Sequence, residues 1–176
     1  MTYEQEAYYN LAREFERKKD YENALDCLKK IGEVALVLEI IGEYYFFGKG
    51  CVKDINNARE FFKKAAELGN IDAMCNYAFC IEEPNEKKEW YTKAALLGCG
   101  YAMNMVGIII EKYNMQCEET PYEWYVRAEK AGSIPAKYNV AMWTTDMNMR
   151  ARLLSEAANA GCEPARNVLE KNKGII

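Results

Sequence analysis

The chemistry open to this chain is limited first by what it lacks: none of its 176 residues is histidine. Ser–His and Cys–His nucleophilic mechanisms are therefore excluded. Serine occurs only at Ser133 and Ser155, and neither begins an S-x-x-K motif. Paired carboxylates exist at Glu82-Glu83 and Glu118-Glu119, so a carboxylate-dependent hydrolase is a remote alternative. Both pairs fall at turns or helix starts, however, where acids suit the positive end of the helix dipole, and the solvated cap is the better reading. The segment Gly48 to Val52 (GKGCV) lacks the spacing of a phosphate loop and follows a helical pattern, so it reads as a turn. Seven cysteines stand at 27, 51, 75, 80, 99, 117 and 162, with no C-x-x-C pair. An odd count points to reduced thiols packing as small hydrophobes rather than to a metal site or a disulfide framework. No cofactor is expected.

Composition is that of a globular chain rather than a disordered one. Half of the residues are apolar, 28% are charged and the formal net charge is −4. Net acidity argues against the runner-up function, a helical-repeat nucleic-acid binder, because phosphate needs a basic face. No apolar run approaches the length of a membrane span. The N-terminal MTYEQEAYYN carries glutamates in place of the basic start of an export signal. A cytoplasmic protein is expected, acting there or delivered to a host cell by a route independent of a signal peptide.

The elements that would position any site are announced by internal repetition. KKAAELGNIDA, TKAALLGCGYA, VRAEKAGSIPA and SEAANAGCEPA place glycines at Gly69, Gly98, Gly132 and Gly161, each followed four residues later by alanine. Glycine just past a helix end can take the left-handed conformation that satisfies orphan carbonyls, and paired alanines let helices approach closely. Asp54, Asn70 and Ser133 read as N-caps, and Thr120 to Glu123 (TPYE) reads as a capping box. No period-two alternation calls for a sheet. The pattern predicts helices over 3–17, 20–32, 34–47, 54–68, 71–82, 84–97, 100–113, 119–131, 134–145, 147–160 and 163–172.

The stretch Ile41 to Ala73, IGEYYFFGKGCVKDINNAREFFKKAAELGNIDA, resembles the SEL-one-like repeat. It has a small residue in the first helix with an aromatic three residues on. A G-x-G turn, a capping Asp and A-x-x-W/F-Y/F-x-x-A-A-x-x-G follow. Trp90-Tyr91 and Trp124-Tyr125 supply the aromatic pair in later copies. Tyr8, Leu11, Ala12, Phe15, Ala24, Leu28 and Ile31 instead resemble a tetratricopeptide repeat. Cysteine-rich members of the first class crosslink their hairpins through positions that are Ala66, Ala95 and Ala158 here, so those disulfides are not carried over. The resemblance implies an all-α, right-handed α/α superhelical solenoid of about five helix hairpins with a C-terminal capping helix. It would be a single domain over 1–176, divided into a tetratricopeptide-like hairpin (1–33), four SEL-one-like repeats (34–162) and the cap with its tail (163–176).

The function implied is that of a non-catalytic adaptor or scaffold holding a protein or peptide on its concave face, as a monomer or weak homo-oligomer, without nucleic acid, membrane or metal. In the helix over 71–82, Ala73, Met74, Tyr77, Ala78 and Ile81 form the packing face. The stripe Asp72, Cys75, Phe79 and Glu82 is left for the groove. The same register gives Tyr101, Asn104, Ile108 and Glu111, then Pro135, Tyr138, Met142 and Thr145. Earlier copies give Leu36, Glu39, Glu43 and Phe46, preceded by Glu6, Tyr9, Arg13 and Glu16. The partner-binding candidates are Cys75, Phe79, Glu82, Tyr101, Asn104, Ile108, Glu111, Tyr138 and Met142. The competing expectation is that Phe79, Ile108 and Met142 pack against neighbouring first helices as core.

Overall fold

A computed structural model describes residues 1–173. Among them every regular element is a helix. These are α1 (Tyr3–Arg17), α2 (Tyr21–Lys29), α3 (Ala35–Phe47), α4 (Ile55–Glu67), α5 (Ile71–Cys80), α6 (Pro84–Leu96), α7 (Gly100–Tyr113), α8 (Pro121–Lys130), α9 (Ile134–Trp143), α10 (Met147–Asn159) and α11 (Glu163–Lys173). The expected helices match these within a few residues at each end. The tail of the expected cap, 174–176, lies outside the described residues.

The recurring alanine and glycine work as one device. Gly69, Gly98, Gly132 and Gly161 have φ of +88°, +92°, +85° and +91°. The residue after each glycine donates its N–H back to the carbonyl of the alanine four residues before that glycine. These bonds are Asn70 to Ala65 (3.1 Å), Cys99 to Ala94 (3.2 Å), Ser133 to Ala128 (2.9 Å) and Cys162 to Ala157 (2.9 Å). This is the helix-stop bond of a left-handed C-cap. The four alanines are fully buried, so the residue that ends the helix turn also lets the next helix approach.

Side-chain caps start the following helices. Asp54 accepts from the backbone N–H of Asn56 and Asn57, and Asn70 from that of Ala73. The Thr120–Glu123 capping box forms as expected, and a second one, Thr2 with Gln5, starts α1. Ser133 occupies the N-cap position of α9 but makes no side-chain cap bond.

Of the helices that stop short of expectation, α5 and α9 cut into the stripe. The pattern carries α5 to 82, but it ends at Cys80 and Ile81 is extended (ψ 137°). Pro84 disfavours helical conformation in the residue before it and begins α6 itself. Likewise α9 ends at Trp143, and Thr144 is extended. Glu82 and Thr145 therefore lie beyond the helices whose stripes were extended to include them.

The chain folds as two compact units, the first spanning Met1–Glu83 and the second beginning at Pro84. In the first, α1 packs on α2, and α3 and α5 both pack on α4. Its core holds Ala12, Leu25, Leu28, Ile31, Val37, Ile41 and Tyr44. Each large buried side chain contributes about 1.5–3 kcal/mol relative to exposure. Leu11, one of the residues on tetratricopeptide-like spacing, is 40% exposed. The packing face of α5 is as expected, with Ala73, Met74, Tyr77, Ala78 and Ile81 all buried.

In the second unit α7 packs on α6 and α8, α9 on α8 and α10, and α11 on α10. Tyr125, Val140, Ala141, Leu153, Leu154, Ala157 and Ala165 form a core that Val168 and Leu169 help to close. Asn167, Glu170 and Lys171 face outward from α11, the polar outer surface expected of an array end.

Candidate functional site

The candidate groove residues separate by depth. In the first unit, Phe79 is 59% exposed, whereas Cys75, one turn earlier, is buried. Glu82 is exposed beyond the helix end. In the second unit Tyr101 (48%) and Met142 (47%) are exposed, while Ile108 and Tyr138 are half-buried against the core. Asn104 is buried and accepts a hydrogen bond from Asn139 Nδ2 at 2.8 Å. Glu111 accepts the Tyr125 hydroxyl at 2.5 Å. Burial, then this carboxylate, raises the Tyr125 phenol above its ordinary pKa.

A repeated pairing explains the buried polar positions. Asn76 Nδ2 donates to Glu39 Oε1 at 3.1 Å, in the same register as Asn139 to Asn104. In both cases a first helix satisfies the stripe residue of a preceding first helix. A buried polar group costs free energy unless it is so bonded. The stripe therefore includes structural rungs as well as surface.

One pocket in the first unit gathers exposed members of the stripe. It measures about 220 Å3 and is lined by Glu43, Phe46, Phe47, Phe62, Asn76 and Phe79. Elements α3, α4 and α5 each supply part of it. Phe46 is the hub, with ring centroids 5.0 Å from Phe47, 6.3 Å from Phe62 and 5.9 Å from Phe79. Phe62 is buried and forms the floor, while Phe47 is 70% exposed at the rim. Lys53 Nζ lies 5.7 Å from the centre of the Phe46 ring. Phe47, Phe62 and Asn76 were not singled out by spacing. Phe47 lies off the stripe, Phe62 belongs to the second helix, and Asn76 is one residue beside the stripe.

Carboxylates on the same first helices differ sharply in their neighbours. Glu16, at the end of the α1 stripe, accepts the Tyr44 hydroxyl (2.6 Å) and lies 2.6 Å from Arg13 and 3.5 Å from Lys49. Burial works to raise its pKa, but Tyr44, Lys49 and Arg13 together outweigh that and hold it below the ordinary value. Glu39 is only 8% exposed. Burial, then repulsion from Glu43 and Asp72, pushes its pKa up to about 7, although the Asn76 bond works the other way.

The second unit has a larger pocket, about 570 Å3, with Lys88, Thr92, Val106, Ile110, Cys117, Glu118 and Trp124 among its lining residues. Lys88 Nζ reaches Cys117 Sγ at 3.3 Å. Of the carboxylate pair there, Glu119 is held by Arg127. Of the adjacent lysines on second helices, Lys29, Lys30, Lys63 and Lys64 are exposed, but Lys87 and Lys88 are half-buried. Among the described residues no helix is long and apolar enough to cross a membrane, and no group of three or more Cys, Asp or Glu is arranged to hold a metal ion.

The Sel1 repeat family matches residues 5–33, 40–70 and 88–99. The chain carries Sel1 repeats. The family match takes in the first hairpin as well as the copy from Ile41. Among solved structures, this Sel1-repeat chain is similar to a Sel1 repeat protein from Oxalobacter formigenes (24% identity, TM-score 0.77, 90% of this chain and 70% of that one). It is similar to c5321, a protective antigen present in uropathogenic Escherichia coli strains (20% identity, TM-score 0.84), and covers 42% of that chain with 97% of its own. YrrB, a TPR protein with an unusual peptide-binding site, is a more distant likeness (18% identity, TM-score 0.60, 93% of this chain and 90% of that one). These likenesses establish the fold, an all-α solenoid of helix hairpins. No curated protein matches the chain.

Proposed function

We propose that this Sel1-repeat chain is a non-catalytic interaction module, a single repeat domain over 1–176 acting in the cytoplasm, that holds a partner polypeptide on the face presented by its first helices. In solenoids of this kind that face is the concave binding surface. The observation that carries the reading is Phe79, left 59% exposed in a pocket that α3, α4 and α5 build from aromatic rings. A large apolar side chain held in water beside a second one, Phe47, marks an interaction surface. YrrB supplies the analogy for a peptide ligand in this architecture. In the second unit Tyr101 and Met142 offer the corresponding exposed anchors, with Ile108, Tyr138 and Asn104 less exposed behind them, whereas Cys75 is buried one turn before Phe79 in the first unit. Glu82 and Glu111 supply acidic edges.

The test is affinity capture with the wild-type chain and the Phe79→Asp variant, whose fold is checked by circular dichroism. The expected result is a polypeptide retained by the wild type and lost, or reduced about tenfold or more, with the variant. An identical set of proteins captured by both would overturn the reading.

A further inference from the structure

The pocket of the first unit adjoins unneutralised negative charge. Glu43 on α3 and Asp72 on α5 both repel the Glu39 carboxylate of α3. Among the described residues no lysine or arginine forms an ion pair with any of the three. The nearby Lys53 instead lies by the Phe46 ring. The contrast with Glu16 is instructive, because α1 carries a comparable carboxylate that is neutralised within the protein by Arg13 and Lys49. At about 220 Å3 the pocket is smaller than the roughly 300–1,000 Å3 typical of small-molecule sites and suits one bulky side chain.

Resting on the interaction-module reading above, we infer that the Phe46–Phe62–Phe79 pocket takes an apolar side chain of a partner polypeptide, while Glu43 and Asp72, the exposed carboxylates of the cluster, take a lysine or arginine beside it in sequence. The apolar pocket provides the anchor and the carboxylates select the flank. An acidic partner would place like charge against three carboxylates, and nucleic acid would do the same with phosphate. A basic flank would supply the charge the cluster lacks, as Arg13 and Lys49 do for Glu16.

A random dodecapeptide library displayed on phage, selected against the full chain, tests this directly. The enriched peptides are expected to carry a large apolar residue with Lys or Arg within about four positions, the reach of one helical turn or a short extended segment. Binding of the synthetic peptides, read by fluorescence polarisation, should weaken about tenfold or more with Phe79→Asp and with Glu43→Lys. Both side chains are exposed, and if Phe79→Asp unfolds, Glu43→Lys still decides the matter. Enriched apolar peptides with no basic preference would overturn this inference yet leave the interaction-module reading standing. Peptides insensitive to both substitutions would place the binding surface elsewhere and overturn it too. Chain dimerisation abolished by Phe79→Asp would assign the pocket to a second copy. A library yielding no binder would count against both readings.

Discussion

Replacing Glu39 by glutamine should stabilise the protein, and the gain should depend on pH. In the folded chain the Glu39 carboxyl has a pKa of about 7, against a reference value of 4.5. Because the folded value is the higher one, any stability that protonation lends is fully present below the unfolded pKa. It is lost as pH rises through 7. At pH 8 the buried carboxylate costs up to about 3 kcal/mol, since each tenfold change in an acid constant is worth about 1.4 kcal/mol. At pH 5 the cost falls to about 1 kcal/mol. Glutamine carries no charge at either pH and keeps an oxygen for the Asn76 Nδ2 bond, now 3.1 Å long. Amide hydrogen exchange of peptides from α3 and α5, compared between variant and wild type at each pH, isolates the effect in the first unit. Tryptophan fluorescence would miss it, because Trp90, Trp124 and Trp143 all belong to the second unit. The expected result is protection about 100-fold greater in Glu39→Gln at pH 8, shrinking to less than about tenfold at pH 5. Equal protection at pH 8, or weaker protection in the variant, would refute the argument that Glu39 is held charged at a cost.

Two further predictions concern the scaffold. Gly42→Ala would normally gain about 1 kcal/mol of helix propensity, but the added Cβ would sit 2.6 Å from the buried Phe62 ring. Overpacking costs about 1–3 kcal/mol, so a net loss of stability is expected in thermal melts, and a raised melting temperature would show that Phe62 yields freely. Removing 163–176 strips Ala165, Val168 and Leu169 from the core of the second unit. Lower solubility and a lower melting temperature are expected, and unchanged values would sink the cap assignment.

Much of the fold was legible because it rests on local rules. Gly69, Gly98, Gly132 and Gly161 announce helix ends by a backbone conformation that other residues resist. Asp54, Asn70 and Thr120 announce helix starts through hydrogen bonds to residues two or three positions on. Such rules act within one turn of chain and can be read without a partner. The alanine pairs and apolar periodicity then require hairpins that stack.

Depth along the stripe could not be read in this way. Asp72, Cys75 and Phe79 have helical spacing that treats them alike, yet Cys75 is buried and Phe79 stands in water. What separates them is how closely a neighbouring helix approaches, and that depends on residues tens of positions away. Asn76 reaches Glu39 across 37 residues, and Asn139 reaches Asn104 across 35. Phe62 enters the aromatic pocket from a second helix whose own periodicity marks it only as core. The sequence by itself determined that helices form, where most begin and end, and which faces pack. The tertiary structure decided which remaining side chains become rungs between helices and which meet a partner, because solvent exposure is set by what else arrives at the surface.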